Sequence, residues 1–240
     1  MPLTGFPDGL SHVNSPDESK LSKLEERLPP LLSVIAGMVD LTGFFTLGNI
    51  FTAHVTGNLV VAAATAVRGG PWNLAQALAI PVFMLAVAAA WRIARASSLH
   101  GISLTRLLLV IQFLLLFAVS VFSVATAPSA NPHGLMAGIA VMIAVCAMAF
   151  QYAVLRVALP NAVSTAVMTG NLTNAVLSLM EMLSPHEPLM PVDRGRLKSS
   201  LRLLAGFLAG CIVAAAAISS LGDWAWSIPT VLAAFAIAVR

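Results

Sequence analysis

Of the chain's 240 residues, 58% are hydrophobic and only 10% charged, against about 25% charged in ordinary globular domains. No Asp, Glu, Lys or Arg occurs in 107–155, 157–180 or 203–222. Water would not tolerate such runs, whereas a bilayer requires ~20 apolar residues for each spanning helix. A soluble domain is thereby excluded. The ~10-residue alternating segments of a membrane β-barrel are also absent. The formal net charge of +3 calls for no nucleic acid partner, because the basic residues gather at the ends of apolar segments, where Lys and Arg orient spans. The chain reads as an all-α integral membrane protein with the lipid bilayer as its solvent.

Residues 1–28 are polar and turn-rich and lack the compact basic start and early apolar core of a signal peptide. They read as a disordered cytoplasmic tail with a short helix at 19–28. An apolar block from Leu31 to Val67 follows, too long for one span. It divides into a span at 31–47 and a second segment at 49–68, with Gly48-Asn49 as the break. Arg68-Gly69-Gly70-Pro71 closes the block. Trp72 and Trp91 then bracket a span at 73–91, as interfacial aromatics do. Further spans are expected at 104–126 and 134–155, followed by a break at Pro160-Asn161, a segment at 162–183, and spans at 201–221 and 224–239. Cys146 and Cys211 lie in separate apolar segments and read as small buried hydrophobes.

The chain writes one phrase twice. Thr52-Ala53-His54-Val55-Thr56-Gly57-Asn58-Leu59 returns as Thr165-Ala166-Val167-Met168-Thr169-Gly170-Asn171-Leu172, with six of eight positions identical at an offset of 113 residues. The membrane domain therefore reads as a duplicated helical bundle, with a first repeat at 29–126 and a second at 127–240. Six spans are joined by two polar, broken or re-entrant segments, making eight hydrophobic segments in all. With re-entrant phrases, Arg92, Arg95, Arg106, Arg156, Arg194, Arg196, Lys198, Arg202 and Arg240 fall on the side of the N-terminus and only Arg68 falls opposite. An odd number of spans per half inverts the halves relative to each other. Eight full spans with an external N-terminus is the rival topology.

Asp40 is the sharpest single signal, since a carboxylate at mid-span costs ~2.5–3.5 kcal/mol or more and must be paired, protonated or wetted. His54 precedes Asn58 by four residues and shares its face if that segment is helical. It can relay a proton to a nearby carboxylate, or bond a carbonyl at the break. The second half carries Ala153 and Val167 at these two places, so ionisable chemistry is confined to one half. Thr56, Gly57, Asn58, Thr169, Gly170 and Asn171 offer hydroxyl, carboxamide and backbone groups to a solute, or fasten the two phrases together. Asn174 and Ser178 extend the Asn171 face as a polar stripe. Gln112 and Gln151 are buried amides suited to bonds between helices. Gly134/Gly138 and Gly206/Gly210 are small-xxx-small pairs, for packing within the chain or for a homodimer. No catalytic, metal or cofactor motif is present in the sequence, so no cofactor is expected.

Gly37-Met38-Val39-Asp40 followed by Thr-Gly-Asn, and a second Thr-Gly-Asn preceded by Phe150-Gln151-Tyr152, give the chain a resemblance to the YoaK-like family. These are bacterial multi-pass membrane proteins of unknown function. The resemblance covers about residues 31–221 and implies a bacterial inner-membrane protein with about six spans. It supplies no substrate. The chemistry of the residues leads to a secondary transporter or channel-like permease for a small polar solute, coupled to protons at Asp40. The solute site would comprise Asp40, His54, Thr56, Gly57, Asn58, Gln151, Thr169, Gly170, Asn171 and Asn174. A membrane-embedded enzyme using Asp40 and His54, or a structural or accessory membrane protein, are the alternatives.

Overall fold

The computed structural model describes residues 16–69, 73–184 and 194–239. The tail before residue 16, Trp72, the loop bearing Pro185, Pro188 and Pro191, and Arg240 lie outside the described residues. The described residues form eight α-helices: α1 Pro16–Thr46, α2 Gly57–Val67, α3 Leu74–Ala96, α4 Gly101–Thr126, α5 Leu135–Ala153, α6 Met168–Leu183, α7 Arg194–Leu221 and α8 Ser227–Ala238. Among the described residues, five helical stretches are long and apolar enough to cross a membrane: Ser19–Thr46, Leu74–Ala96, Gly101–Thr126, Leu135–Ala158 and Arg194–Ala238. The last bends at Gly222, whose φ of +56° starts a 3₁₀ turn between α7 and α8.

The first helix begins earlier than its sequence suggests. Instead of a short helix and a separate span from residue 31, α1 runs unbroken through Pro29 and Pro30. Each proline removes a helix hydrogen bond. Leu24, Leu28, Leu32 and Ile35 nevertheless form one buried stripe across them, and that burial holds the two halves in line.

Small residues set the central contact, between α1 and α7. The Cβ of any residue other than Gly at position 37 would collide with the Phe207 carbonyl, and at position 210 with the Val34 carbonyl. The two helices run parallel. Arg202 reaches Glu26 at 2.9 Å, Ser33 Oγ donates to the Leu203 carbonyl at 2.6 Å, and Trp226 Nε1 donates to Thr46 Oγ1 at 3.3 Å. Gly206 and Gly210 thus serve packing within the chain, and Gly138 lies against Ala75 of α3. Buried α5 packs on α3 and α4, and α4 on α8. Gln112 Nε2 donates to Gln151 Oε1 at 2.8 Å, and Gln151 Nε2 donates to the Leu32 carbonyl at 2.9 Å, so the two amides tie α4, α5 and α1 together.

Neither phrase segment is among the stretches long and apolar enough to cross. After α1 the chain turns at Gly48 (φ +82°) and Asn49 (φ +60°), the expected break. It then folds back so that residues 52–54 meet Asp40. Asp40 lies six residues inside the end of α1, a depth of roughly 9 Å at 1.5 Å per residue. The eleven residues of α2 then lead back to Asn73, which neighbours Gly48. The segment therefore enters and leaves at one end of the bundle. The second phrase follows a π-helical turn at Val154–Ala158. Its loop starts beside Glu25, which accepts from Asn161 N–H at 3.4 Å, and α6 packs on α7.

Candidate functional site

Asp40 organises the site. Only 4% of the residue is exposed, yet its oxygens are fully engaged. Oδ1 accepts from the backbone N–H groups of Thr52 (2.8 Å), Ala53 (2.7 Å) and His54 (3.3 Å). Oδ2 lies 2.6 Å from His54 Nδ1. Three successive amides converging on one anion form a nest, and four donors on two oxygens offset the cost of burying the carboxyl. The loop adopts this form because it is pinned from two further directions. Asn58 Nδ2 donates to the Phe51 carbonyl at 2.8 Å, while its Oδ1 accepts from Phe51 N–H at 2.8 Å. Tyr152 of α5 donates its hydroxyl to the Ala53 carbonyl at 3.0 Å, and Thr52 Oγ1 donates to the Val39 carbonyl at 3.2 Å.

His54 connects this buried carboxyl to the outside. Its side chain is 30% exposed, and its ring stands edge-on to Phe207 of α7 with centroids 5.1 Å apart. His54 is not on a helix, because α2 begins only at Gly57. The expected face shared with Asn58 is therefore replaced by a loop, in which the ring of His54 turns to Asp40. Asp40 and His54 meet as the sequence suggested, through backbone amides that no side-chain pattern reveals. Tyr152, Thr52 and Ala53 are the residues that sequence reasoning missed. The available signal was chemical, since a mid-span carboxyl needs donors and the following turn has free amides.

The remaining candidates are spread out. Thr56 is exposed and Gly57 half-buried at the start of α2. Gln151 is spent on its bonds to Gln112 and Leu32. In the second phrase, Thr169 is exposed, Gly170 half-buried and Asn171 buried. Asn171 Nδ2 donates to the Ser164 carbonyl at 2.9 Å, seven residues back, repeating the bond of Asn58 to Phe51. Asn174 and Ser178 are half-buried and Ala175 buried, so this stripe of α6 faces protein and not lipid. The first phrase meets α1 at Asp40, while Val163, two residues before the second phrase, borders a small cleft with Pro29 and Pro30. A groove of about 870 Å³ lies beside Phe113, Phe117, Trp224 and Phe235, one of about 600 Å³ runs along α2 from Leu59 to Arg68, and one of about 430 Å³ lies beside Asn73 and His133.

A family model described as a protein of unknown function, DUF1275, matches residues 28–239. The chain belongs to this family. Its extent takes in α1 from Leu28 onward and all of α2 to α8. No curated protein and no solved structure matches the chain. Membership in DUF1275 brings no activity with it, and function rests on the residues described above.

Proposed function

We propose that this DUF1275 protein is a secondary transporter or channel-like permease for a small polar solute, built as an inverted duplication and coupled to protons through Asp40 and His54. The observation that carries the proposal is the pair of Thr-Gly-Asn phrases, each entered through a non-helical loop within an otherwise apolar helical chain. Irregular backbone at membrane depth persists where it is buried in protein or lines a water-filled path, and corresponding breaks in two halves mark transporter binding sites. The packing supports a two-fold exchange of halves: α1 with α7 corresponds to α5 with α3, α4 with α5 to α8 with α1, and α2 with α3 to α6 with α7. Six spans, three per half, follow if both phrases return to the side they came from.

Placement in a bacterial inner membrane with the N-terminus inside belongs to the same proposal. What supports the orientation is charge. Arg202 pairs with Glu26 near the start of α1, and the neighbouring helix ends bear Arg95, Arg106, Arg156 and Arg194, in keeping with positive residues inside. Catalysis is no part of the reading.

A second reading is favoured by one observation: both Asp40 oxygens are already satisfied by the chain's own groups. In that reading Asp40 is a structural clip in an accessory membrane protein. Uptake of a mixed metabolite pool by proteoliposomes, with and without a proton gradient, separates the two. Transport predicts uptake by wild type and an altered gradient dependence in Asp40→Asn. No uptake by wild type overturns the transport reading, and unchanged gradient dependence in a folded Asp40→Asn overturns the coupling role.

A further inference from the structure

Arg202 is neutralised by Glu26 at the end of the bundle where α1 starts, but four other arginines of that end have no such partner. Among the described residues, Arg92, Arg95, Arg106 and Arg156 are exposed and make no ion pair. Helix contacts bring them to one level. α4 and α5 form an antiparallel pair clasped by the bond between Gln112 and Gln151, and α4 also packs on the turn at Val154–Ala158. From that bond Arg106 lies six residues back along α4 and Arg156 five residues on past α5, each roughly 7–9 Å toward the same end. α3 runs parallel to α5, with Ala75 against Gly138. Eighteen residues further along each come Ile93 and Arg156, so Arg92 and Arg95 bracket the level of Arg156. Residues 97–100 join α3 to α4 at this end.

An apolar track starts where this charge ends. Val110, Leu114 and Phe117 follow Arg106 at spacings of four, four and three, so they share its face of α4, and all three are exposed. From Arg106 to Phe117 is eleven residues, roughly 16 Å, which is about half of the ~30 Å hydrocarbon core and so the depth of one leaflet. At its far end the track meets the apolar groove between α4 and α8, whose α4 wall includes Phe113 and Phe117. Val157, next to Arg156, is exposed as well. A cationic head above an apolar strip of this length complements an anionic phospholipid in both charge and shape. We propose that this corner holds one anionic phospholipid, its phosphate between Arg106 and Arg156 and an acyl chain along Val110, Leu114 and Phe117. Guanidinium groups hold phosphate oxygens through paired N–H donors, and basic clusters at span ends hold anionic head groups. Arg92 and Arg95 add to the positive field that draws the head group in. The lipid is a partner of the fold and not a transported solute, so the site stands with or without transport.

The purified full-length protein is titrated with dioleoyl phosphatidylglycerol or dioleoyl phosphatidylcholine, which share their chains and differ in head-group charge, and bound lipid is counted by native mass spectrometry. Wild type is expected to hold one phosphatidylglycerol about a hundredfold more tightly than phosphatidylcholine. Arg106→Gln with Arg156→Gln removes that preference, each lost charge-assisted bond being worth about tenfold. Arg106→Lys with Arg156→Lys keeps the charge and most of the preference, which separates loss of charge from loss of fold. Arg194→Gln with Lys198→Gln takes the same charge from exposed positions at the start of α7 and leaves the preference intact. Phosphatidylglycerol with brominated chains quenches a tryptophan introduced by Leu114→Trp more strongly than one introduced by Leu208→Trp, at an exposed position of α7. Equal affinity for the two lipids, a preference that survives Arg106→Gln with Arg156→Gln, equal loss in the α7 pair, or equal quenching at 114 and 208 overturns the proposal. Full displacement of the lipid by soluble glycerol phosphate overturns it too, since the site would then take a free phosphate.

Discussion

Replacing Asp40 by Ala removes the group on which the first loop is built. The amides of Thr52 and Ala53, both buried, lose their acceptor together. A buried donor left unsatisfied costs about 1–3 kcal/mol, so these two alone amount to about 2–6 kcal/mol. The His54 amide adds less, since its bond is longer at 3.3 Å. His54 itself, 30% exposed, can find water or lipid headgroups. The loss should appear in unfolding of the purified protein by denaturing detergent, and locally as faster hydrogen exchange at 52–54. Asp223, half-buried with a single 2.6 Å bond to Ser129, serves as the comparison, and losing that one bond should cost less than losing the several donors at Asp40. If Asp40→Ala costs no more than Asp223→Ala, and exchange at 52–54 is unchanged, the nest is not what holds the loop.

Asn58→Ala should cost more than Asn171→Ala in the same assay, because Asn58 makes two bonds to Phe51 while Asn171 makes one, to Ser164; equal losses would refute it. Gly37→Ala and Gly210→Ala should each push α1 and α7 apart and lower the unfolding midpoint, by about 1–3 kcal/mol of overpacking, and a neutral result at both would refute that contact. Tyr152→Phe removes the bond to the Ala53 carbonyl and should cost about 1–3 kcal/mol for the buried acceptor left behind, while Tyr152→Phe with unchanged stability would refute the tie between α5 and the loop. In a background lacking Cys146 and Cys211, cysteines at Asn49 and Gly69, both exposed, should react with an impermeant reagent from the same side. Labelling of the two from opposite sides would refute re-entry.

Much of the molecule was legible because a bilayer acts on local composition. Each stretch of apolar residues declares a helix without reference to any other, and self-comparison exposes the repeated phrase and its break at Gly48-Asn49. The continuation of α1 through Pro29 and Pro30 was not legible. Local propensity forbids it, and the buried Leu24–Leu28–Leu32 stripe that overrides it depends on what packs there.

The sequence by itself determined the membrane class, the apolar segments and the duplication of the phrase, and it left His54 a choice between Asp40 and a carbonyl at the break. Only the tertiary structure decided that the phrase is a loop and not the middle of a helix, and that Asp40 is held by backbone amides. It also decided that the loop leading into the second phrase meets α1 at Glu25 and Pro29. The physical reason is that side-chain patterns report which residues avoid water. Backbone N–H groups are the same at every position except proline, so where they converge is set by how the chain folds back on itself.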